Sequence, residues 1–464
     1  METSGNLGRQ PDGAATDLDN WSRSGGKPMV LAVALGKKIA GNHQNMPHII
    51  PDRERAKPPI CQDLFARTLP DLRVPGCLRR GGSLKKKGEG ENRTIYLSKN
   101  RSTLFVDNTK TLKLISRETL MTEAKFYTKE DGQRVQCILC SHGCLIPPGK
   151  RGICGVRENR DGTLYSLVYG KIVSENPDPI EKKPLFHFLP GSVSYSISTV
   201  GCNFRCKHCQ NWQISQYPHI YGGNIAGEPR TPQDIVSGAL STGSRSISYT
   251  YVEPTIFYEF AYDCARMARS QGVLNCFVSN GYMTKDVIAE LATVLDAINI
   301  DLKAFTDGFY KKICGARLKP VLEAIEAIYD AGVWVEVTTL IIPGLNDSKE
   351  ELKAIARFIC SISREIPWHV TGFYPTFKML DRPPTPVESL DMAREIGLEQ
   401  GLKFVYEGNR PGSGGEHTYC PECKTTLIKR YGFSILKNNL TSGKNGVKNT
   451  CPNCGFKVPG VWRS

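Results

Sequence analysis

Between residues 192 and 409, short β-branched runs alternate with longer stretches of helical periodicity. The strand-like runs are "VSYSIST" (193–199), "SISYTYV" (246–252), "LNCFVSN" (274–280), "AINIDLK" (297–303), "VWVEVTTLI" (333–341) and "HVTGFYP" (369–375). Between or after them lie "TIFYEFAYDCARMARS", "TKDVIAELATVL", "KPVLEAIEAIYDA", "SKEELKAIARFICSI" and "PVESLDMAREIGLE", each with an apolar stripe at helical spacing. Asp347 and Ser348 mark the start of one helix, and Thr284 is expected to cap another, with Asp286 in its first turn. Six strands alternating with five helix-like stretches predict βα units and a parallel sheet. With right-handed crossovers this gives a doubly wound sheet or a partial barrel.

The pattern fades outside that region. Residues 1–120 have no sustained periodicity, and "GGSLKKKGEGENR" is a linker-type stretch. They are expected to be a basic, mostly disordered extension, or else a gene-model artefact ahead of a true start at Met121. The chain then divides into a Cys-rich segment (121–190), the βα core (191–410) and a tail (411–464). No apolar run approaches the roughly 20 residues of a membrane span. "MVLAVALG" is too short and too far from Met1 to act as a signal peptide. A soluble, cytoplasmic protein is expected.

Charge sharpens this division. The net charge is +14, with 21 Lys/Arg against 12 Asp/Glu in residues 1–120 and 8 against 1 in residues 420–464. The centre is close to neutral, which argues against a protein-wide nucleic-acid footprint. The basic flanks read first as solvated surface.

Of 17 cysteines, 11 fall into three clusters: 137/140/144/154, 202/206/209 and 420/423/451/454. Tight spacing in a long chain points to metal ligation in a reducing compartment rather than to disulfides. Cys61, Cys77, Cys264, Cys276, Cys314 and Cys360 stand alone and read as buried apolar thiols.

The central triplet, "GCNFRCKHC", places Cys202, Cys206 and Cys209 directly after the first strand. A structural zinc site wants four ligands; here there are three thiols, with His208 or His219 as the fourth group of an alternative Cys3His site. The spacing suits a [4Fe–4S] cluster better, with three irons held and the fourth left open. In parallel sheets ligands gather at the carboxyl ends of the strands. Glu253 follows the second strand, Asn280 the third, and Asp301 with Lys303 the fourth, so all are expected to face one cleft with the cysteines.

The outer clusters are metal sites of another kind. Cys420, Cys423, Cys451 and Cys454 form two "CPxC" knuckles around a long loop, as in a zinc ribbon. Structural Zn²⁺ is the reading, with rubredoxin-like iron or an iron–sulfur cluster as alternatives. A basic zinc ribbon can also touch RNA or DNA. Cys137, Cys140, Cys144 and Cys154 read equally as structural zinc or an auxiliary cluster.

The triplet CxxxCxxC resembles that of the radical S-adenosylmethionine (SAM) superfamily. Further blocks extend the likeness: "DPIEKKPLFHFLPGSVSYSISTVGCNFRCKHCQNWQISQ", "YTYVEPTIFYE", "VSNGY", "IDLKAF", "TTLIIPGLNDS" and "CPEC…RYGF…CPNCG". Together they look like the radical SAM protein of the AmmeMemoRadiSam system, a group similar to the pyruvate formate-lyase activating enzymes. The resemblance runs from about Met121 to 458; Val252 stands where the family pattern has Asn. It implies a partial (β/α)6 TIM-like barrel in which Cys202, Cys206 and Cys209 hold a [4Fe–4S] cluster. SAM would chelate the open iron, and an electron from flavodoxin or ferredoxin would release a 5′-deoxyadenosyl radical that abstracts hydrogen. By position, Glu253 would meet the methionine ammonium, Lys303 its carboxylate with Asp301 beside it, and Asn280 the ribose; Glu336 lies mid-strand and is a weaker candidate. The substrate would be a protein, a peptide or a small molecule, with glycyl-radical activation one form of the chemistry. No membrane partner is expected, and nucleic acid is not favoured. The competing reading is a zinc-ribbon nucleic-acid-binding protein in which every cysteine is structural.

Overall fold

The computed structural model describes residues 103–106, 112–115, 121–443 and 446–462. Residues 103–106 and 112–115 pair as antiparallel strands. The expectation for the rest of 1–120 lies outside the described residues.

The core is one eight-stranded sheet. Its strands are β1 (Ser174–Pro179), β2 (Val193–Ser198), β3 (Ser246–Tyr249) and β4 (Leu274–Ser279), followed by β5 (Ala297–Asp301), β6 (Trp334–Ile341), β7 (Trp368–Gly372) and β8 (Val405–Gly408). Spatial order follows sequence order throughout. β1 is antiparallel to β2, and every later pairing is parallel. A doubly wound sheet reverses its strand order at a switch point; this one never does. With right-handed crossovers the connecting helices therefore share one face. β1 and β8 do not pair, so the described residues form an open sheet.

Helices α1 (Pro232–Ser241), α2 (Tyr258–Ser270), α3 (Lys285–Leu291), α4 (Leu318–Asp330), α5 (Lys349–Ile362) and α6 (Val387–Glu399) make the crossovers. α4 buries Val321, Ala324, Ile325 and Ile328, and α5 buries Leu352, Ile355, Ala356 and Ile359, the i, i+3, i+4, i+7 stripe of a helix laid on a sheet. They pack on the strand residues that point outward, among them Ile247, Phe277, Ile298, Val335 and Val337. Ser348 caps α5 by accepting from the Glu351 N–H at 3.2 Å. Thr284 does not cap α3; its hydroxyl donates instead to the Ile138 carbonyl at 2.9 Å, tying the helix start to the Cys-rich segment.

The six strands expected from sequence are all present. Within the sheet and its crossover helices, three elements escaped the reading. β8 offers only "VYEG", α1 follows the cysteine loop rather than its strand directly, and β1 ("SENPDP") carries no apolar alternation.

The inner face of the sheet is unusually polar. Ser196 pairs in register with Ser248, Asn299 with Glu336, and Asp301 with Thr338, which in turn pairs with His369. Near the starts of the strands this polarity is consumed by a buried network. Glu336 accepts from the backbone N–H groups of Phe186 (2.9 Å) and His187 (2.8 Å) and from the Trp334 indole (3.0 Å), and lies 2.7 Å from His369 Nε2. Burial alone would raise Glu336, but His369 and His187 hold it below the ordinary carboxylate range. The tail closes the same end of the sheet: Cys420, Leu427, Cys451 and Val458 share a core with Phe186, Phe404 and Tyr406.

Candidate metal centre

The opposite end of the sheet carries the three-cysteine loop. Gly201, just after β2, has φ +98°, and a Cβ there would meet Val156 Cγ1 at 2.5 Å and the Cys154 carbonyl at 3.0 Å, so the turn into the loop requires glycine. The loop is then clamped from several sides. The Arg205 N–H donates to the Cys314 carbonyl at 2.7 Å and the Lys207 N–H to the Ile313 carbonyl at 3.0 Å. The Gln216 side chain donates to the Phe204 carbonyl at 3.2 Å. Cys206 is buried, while Cys202 and Cys209 are partly exposed.

The structure brings the strand-end residues to this loop. Asn280 Nδ2 donates to Asn203 Oδ1 at 2.8 Å, joining the end of β4 to the residue after Cys202. Glu253 Oε1 accepts from the Thr255 N–H (3.1 Å), the Thr255 hydroxyl (2.5 Å) and the Ser279 hydroxyl (2.8 Å); Oε2 accepts from the Asn280 N–H (2.7 Å). Oε2 therefore keeps one lone-pair direction. Burial raises Glu253 despite these donors. Lys303 Nζ pairs with Asp301 at 2.8 Å. Burial pulls against its protonated form, but Asp301, Cys206 and Cys314 more than restore it, leaving Lys303 well above the usual lysine range.

Several participants were invisible in sequence. Cys314 read as one more isolated thiol, yet its hydrogen bond is the first cause raising Cys206, ahead of burial. It lies in a π-helical turn, Tyr310–Cys314, ended by Gly315 in the left-handed region. Asn346, within "IPGLND", holds the Lys303 carbonyl at 2.7 Å and the Leu340 carbonyl at 2.8 Å. No local signal links positions so far apart.

The donor set fits a soft metal cluster. Burial raises Cys202 and Cys209 with help from neighbouring thiols, and a coordinated cation inverts that direction, since a ligating thiol is deprotonated outright. A cluster spreads its thiolates over separate irons, whereas a single ion draws them together. Buried polar atoms without a partner among the described residues, Asn203 Nδ2, His208 Nδ1 and Thr338 Oγ1, lie on this loop or on the inner face of the sheet. His208 is held down to about 3 by burial and then by Lys303, so it is neutral at ordinary pH.

The outer clusters differ from it and from each other. The sulfurs of Cys420, Cys423, Cys451 and Cys454 lie within 4.8 Å of one another. A tetrahedral ion with bonds of about 2.3 Å needs sulfurs about 3.8 Å apart; Cys420 to Cys454 is 3.5 Å and Cys423 to Cys451 is 3.6 Å. Hydrogen bonds from Thr425 and Asn453 draw the Cys423 thiol down to about 5. Cys137 and Cys144 stand opposite each other on adjacent strands, and burial, then neighbouring thiols, raises Cys140 and Cys154, the latter to about 11. This N-terminal cluster packs directly on the central loop: His142 Nε2 lies 2.7 Å from the Asn203 carbonyl, and the Ser141 N–H donates to the Tyr282 carbonyl at 2.9 Å. A buried Arg157–Glu259 ion pair at 2.9 Å fastens the segment to α2.

Comparison with known proteins gives the chain's relatives. Residues 196–359 match the radical SAM superfamily. The chain is 47% identical over 339 residues to "Uncharacterized protein MJ0808" of Methanocaldococcus jannaschii, covering 73% of this chain and 99% of that one. It is 24% identical over 222 residues to the pyruvate formate-lyase-activating enzyme of Clostridium pasteurianum (45% of this chain, 89% of that one). The pyruvate formate-lyase 1-activating enzyme of Escherichia coli is 21% identical over 224 residues (44% and 89%). A three-thiol loop at the end of a parallel strand, inside a matched stretch that spans the site, leads to one conclusion: this chain belongs to the radical SAM superfamily.

Proposed function

We propose that the protein is a cytoplasmic radical SAM enzyme acting on a protein or peptide, in the manner of a glycyl-radical-enzyme activase, within a partial barrel capped by a Cys-rich segment and a zinc-ribbon tail. The observation that carries this reading is the junction of Asn203, Asn280, Glu253 and Ser279 in one hydrogen-bonded network beside Cys202. Cys202, Cys206 and Cys209 would hold a [4Fe–4S] cluster, which with bound SAM would supply the reductive radical chemistry that removes a hydrogen from the substrate.

The chain's own residues bind, orient and exclude water. Glu253 Oε2 offers its remaining lone pair to the SAM ammonium, a charge-assisted contact made strong by burial. Lys303, kept protonated by Asp301, meets the SAM carboxylate. Asn280 holds the cysteine loop in register and reaches the ribose. Thr338 Oγ1, buried without a partner and in register with Asp301, receives a hydrogen-bonding group of the bound molecules. Flavodoxin or ferredoxin serves as electron donor. Cys137, Cys140, Cys144 and Cys154 hold zinc or an auxiliary cluster, and Cys420, Cys423, Cys451 and Cys454 hold structural Zn²⁺.

The tail's placement weighs against the all-structural reading of the cysteines. Its thiols build the end of the sheet where strands begin, and the triplet sits where strands end and chemistry gathers. Anaerobic reconstitution followed by iron, sulfide and zinc analysis tests the assignment. Loss of iron but not zinc in Cys206→Ala supports it; zinc bound at the triplet in place of iron refutes it.

A further inference from the structure

The tail carries a hairpin whose outward face the proposed radical chemistry does not use. Its strands, Thr426–Tyr431 and Ser434–Asn438, are joined by the two-residue turn Gly432–Phe433, with Gly432 at φ +56°. Phe433 is not in the left-handed region, so the turn follows the form that wants glycine first and accepts any residue second. The inner face is firmly mounted: Leu427 and Ile428 are buried, and the buried Arg430 donates to Thr418 Oγ1 at 2.7 Å and to the Phe186 carbonyl at 3.1 Å.

The outer face is the opposite in character. Lys429 stands directly across from Lys437, both exposed, an arrangement that repels rather than stabilises. Neither forms an ion pair among the described residues. Tyr431 is 59% exposed, Phe433 at the tip 50%, and Leu436, the residue left unpaired by a bulge, 58%. Exposed Lys424, Lys448 and Lys457 lie in the same tail, where Glu422 is the one acidic residue between 420 and 464. The Tyr431 ring lies beside Gly412 yet stays more than half exposed, so the hairpin presents two aromatic rings and opposed lysines together.

We infer that this face binds single-stranded polynucleotide, with bases stacking on Tyr431 and Phe433 and phosphates held by Lys429 and Lys437. Charge selects the occupant. The first 120 residues carry a surplus of nine positive charges and the whole chain is at +14, so neither that segment nor a second copy complements the patch. A polyanion does, and the aromatic tip adds affinity for bases that an acidic peptide cannot use. The inference is independent of the radical chemistry at the other end of the sheet.

The test is fluorescence anisotropy of the full-length protein with fluorescein-labelled dT12 and rU12 across a salt series, with polyglutamate as competitor. Lys429→Glu/Lys437→Glu should weaken binding of the favoured oligonucleotide and reduce the magnitude of the log–log salt slope by about 1.4, since each phosphate contact on a single strand contributes about 0.7. Tyr431→Ala and Phe433→Ala should each cost about tenfold with the slope unchanged. Zinc content and thermal melting matched to wild type keep these surface variants interpretable. The ratio of dT12 to rU12 affinity separates DNA from RNA. The inference fails if neither oligonucleotide binds. It also fails if both sets of variants keep wild-type affinity, which would move binding to the basic first 120 residues. Polyglutamate that competes fully while the aromatic variants bind normally would assign the patch to an acidic protein instead.

Discussion

Asn280 at the end of β4 and Asn203 in the cysteine loop are joined by a 2.8 Å amide hydrogen bond, although 77 residues separate them in sequence. The bond makes the loop's position depend on the same strand end that anchors Glu253. Replacing Asn280 by Ala leaves the three thiols intact but frees the loop. Iron content should stay at the wild-type level while SAM affinity, by isothermal titration, falls about tenfold, the worth of one to two buried hydrogen bonds. Unchanged SAM affinity would remove Asn280 from the site.

Cys314 and Cys206 form a second such pair, held by the 2.7 Å backbone bond from Arg205 to the Cys314 carbonyl. Hydrogen bonds to ligating sulfurs help set the potential of an iron–sulfur cluster. In Cys314→Ala the cluster should assemble with full iron and show a lower midpoint potential by EPR-monitored titration. Cys314→Ser, which retains a donor, should lie between the two. Loss of iron in Cys314→Ala would instead make this thiol a ligand.

At the other end of the sheet, burial holds His187 down to about 4, with its ring nitrogens 2.7 Å from the Pro459 carbonyl and 2.6 Å from the Tyr406 hydroxyl. Between pH 6.5 and 4 an unfolded chain protonates this histidine and the folded one does not, so stability falls as pH falls through that window. The loss should be on the order of 3 kcal/mol, from about 1.4 kcal/mol per pH step. His187→Gln should flatten the dependence in urea unfolding at pH 7 and pH 5. A slope identical to wild type would locate the acid sensitivity elsewhere.

Cys420 and Cys451 share a core with Phe404 and Tyr406, so metal held by the tail thiols stabilises the sheet as well as the tail. Cys451→Ala should lose one zinc per chain and lower the melting temperature by at least about 5 °C, because metal binding at such sites is folding free energy. The oligonucleotide-binding hairpin should weaken with it. A melting temperature within error of wild type would show that the fold does not rest on this site.

Much of this architecture was legible in the chain because parallel strands buried on both faces write themselves as β-branched runs, as in "LNCFVSN" and "AINIDLK". The placement of Cys202, Glu253, Asn280, Asp301 and Lys303 at strand ends followed from those runs. Contacts that close across the fold were not legible. Cys314 reaches Cys206 from over a hundred residues away, and Glu336 receives the backbone of Phe186 and His187 from the far side of the sheet. Periodicity reports which face a residue takes, not what waits on that face. Thr284 makes the same point: its position suits a cap, but a carbonyl of the Cys-rich segment is the nearer partner.

The most direct measurement is 5′-deoxyadenosine formation by the full-length protein, reconstituted anaerobically with iron and sulfide and then given dithionite and SAM. The account predicts 5′-deoxyadenosine from wild type and none from Cys206→Ala. A fully loaded cluster that leaves SAM intact would contradict it.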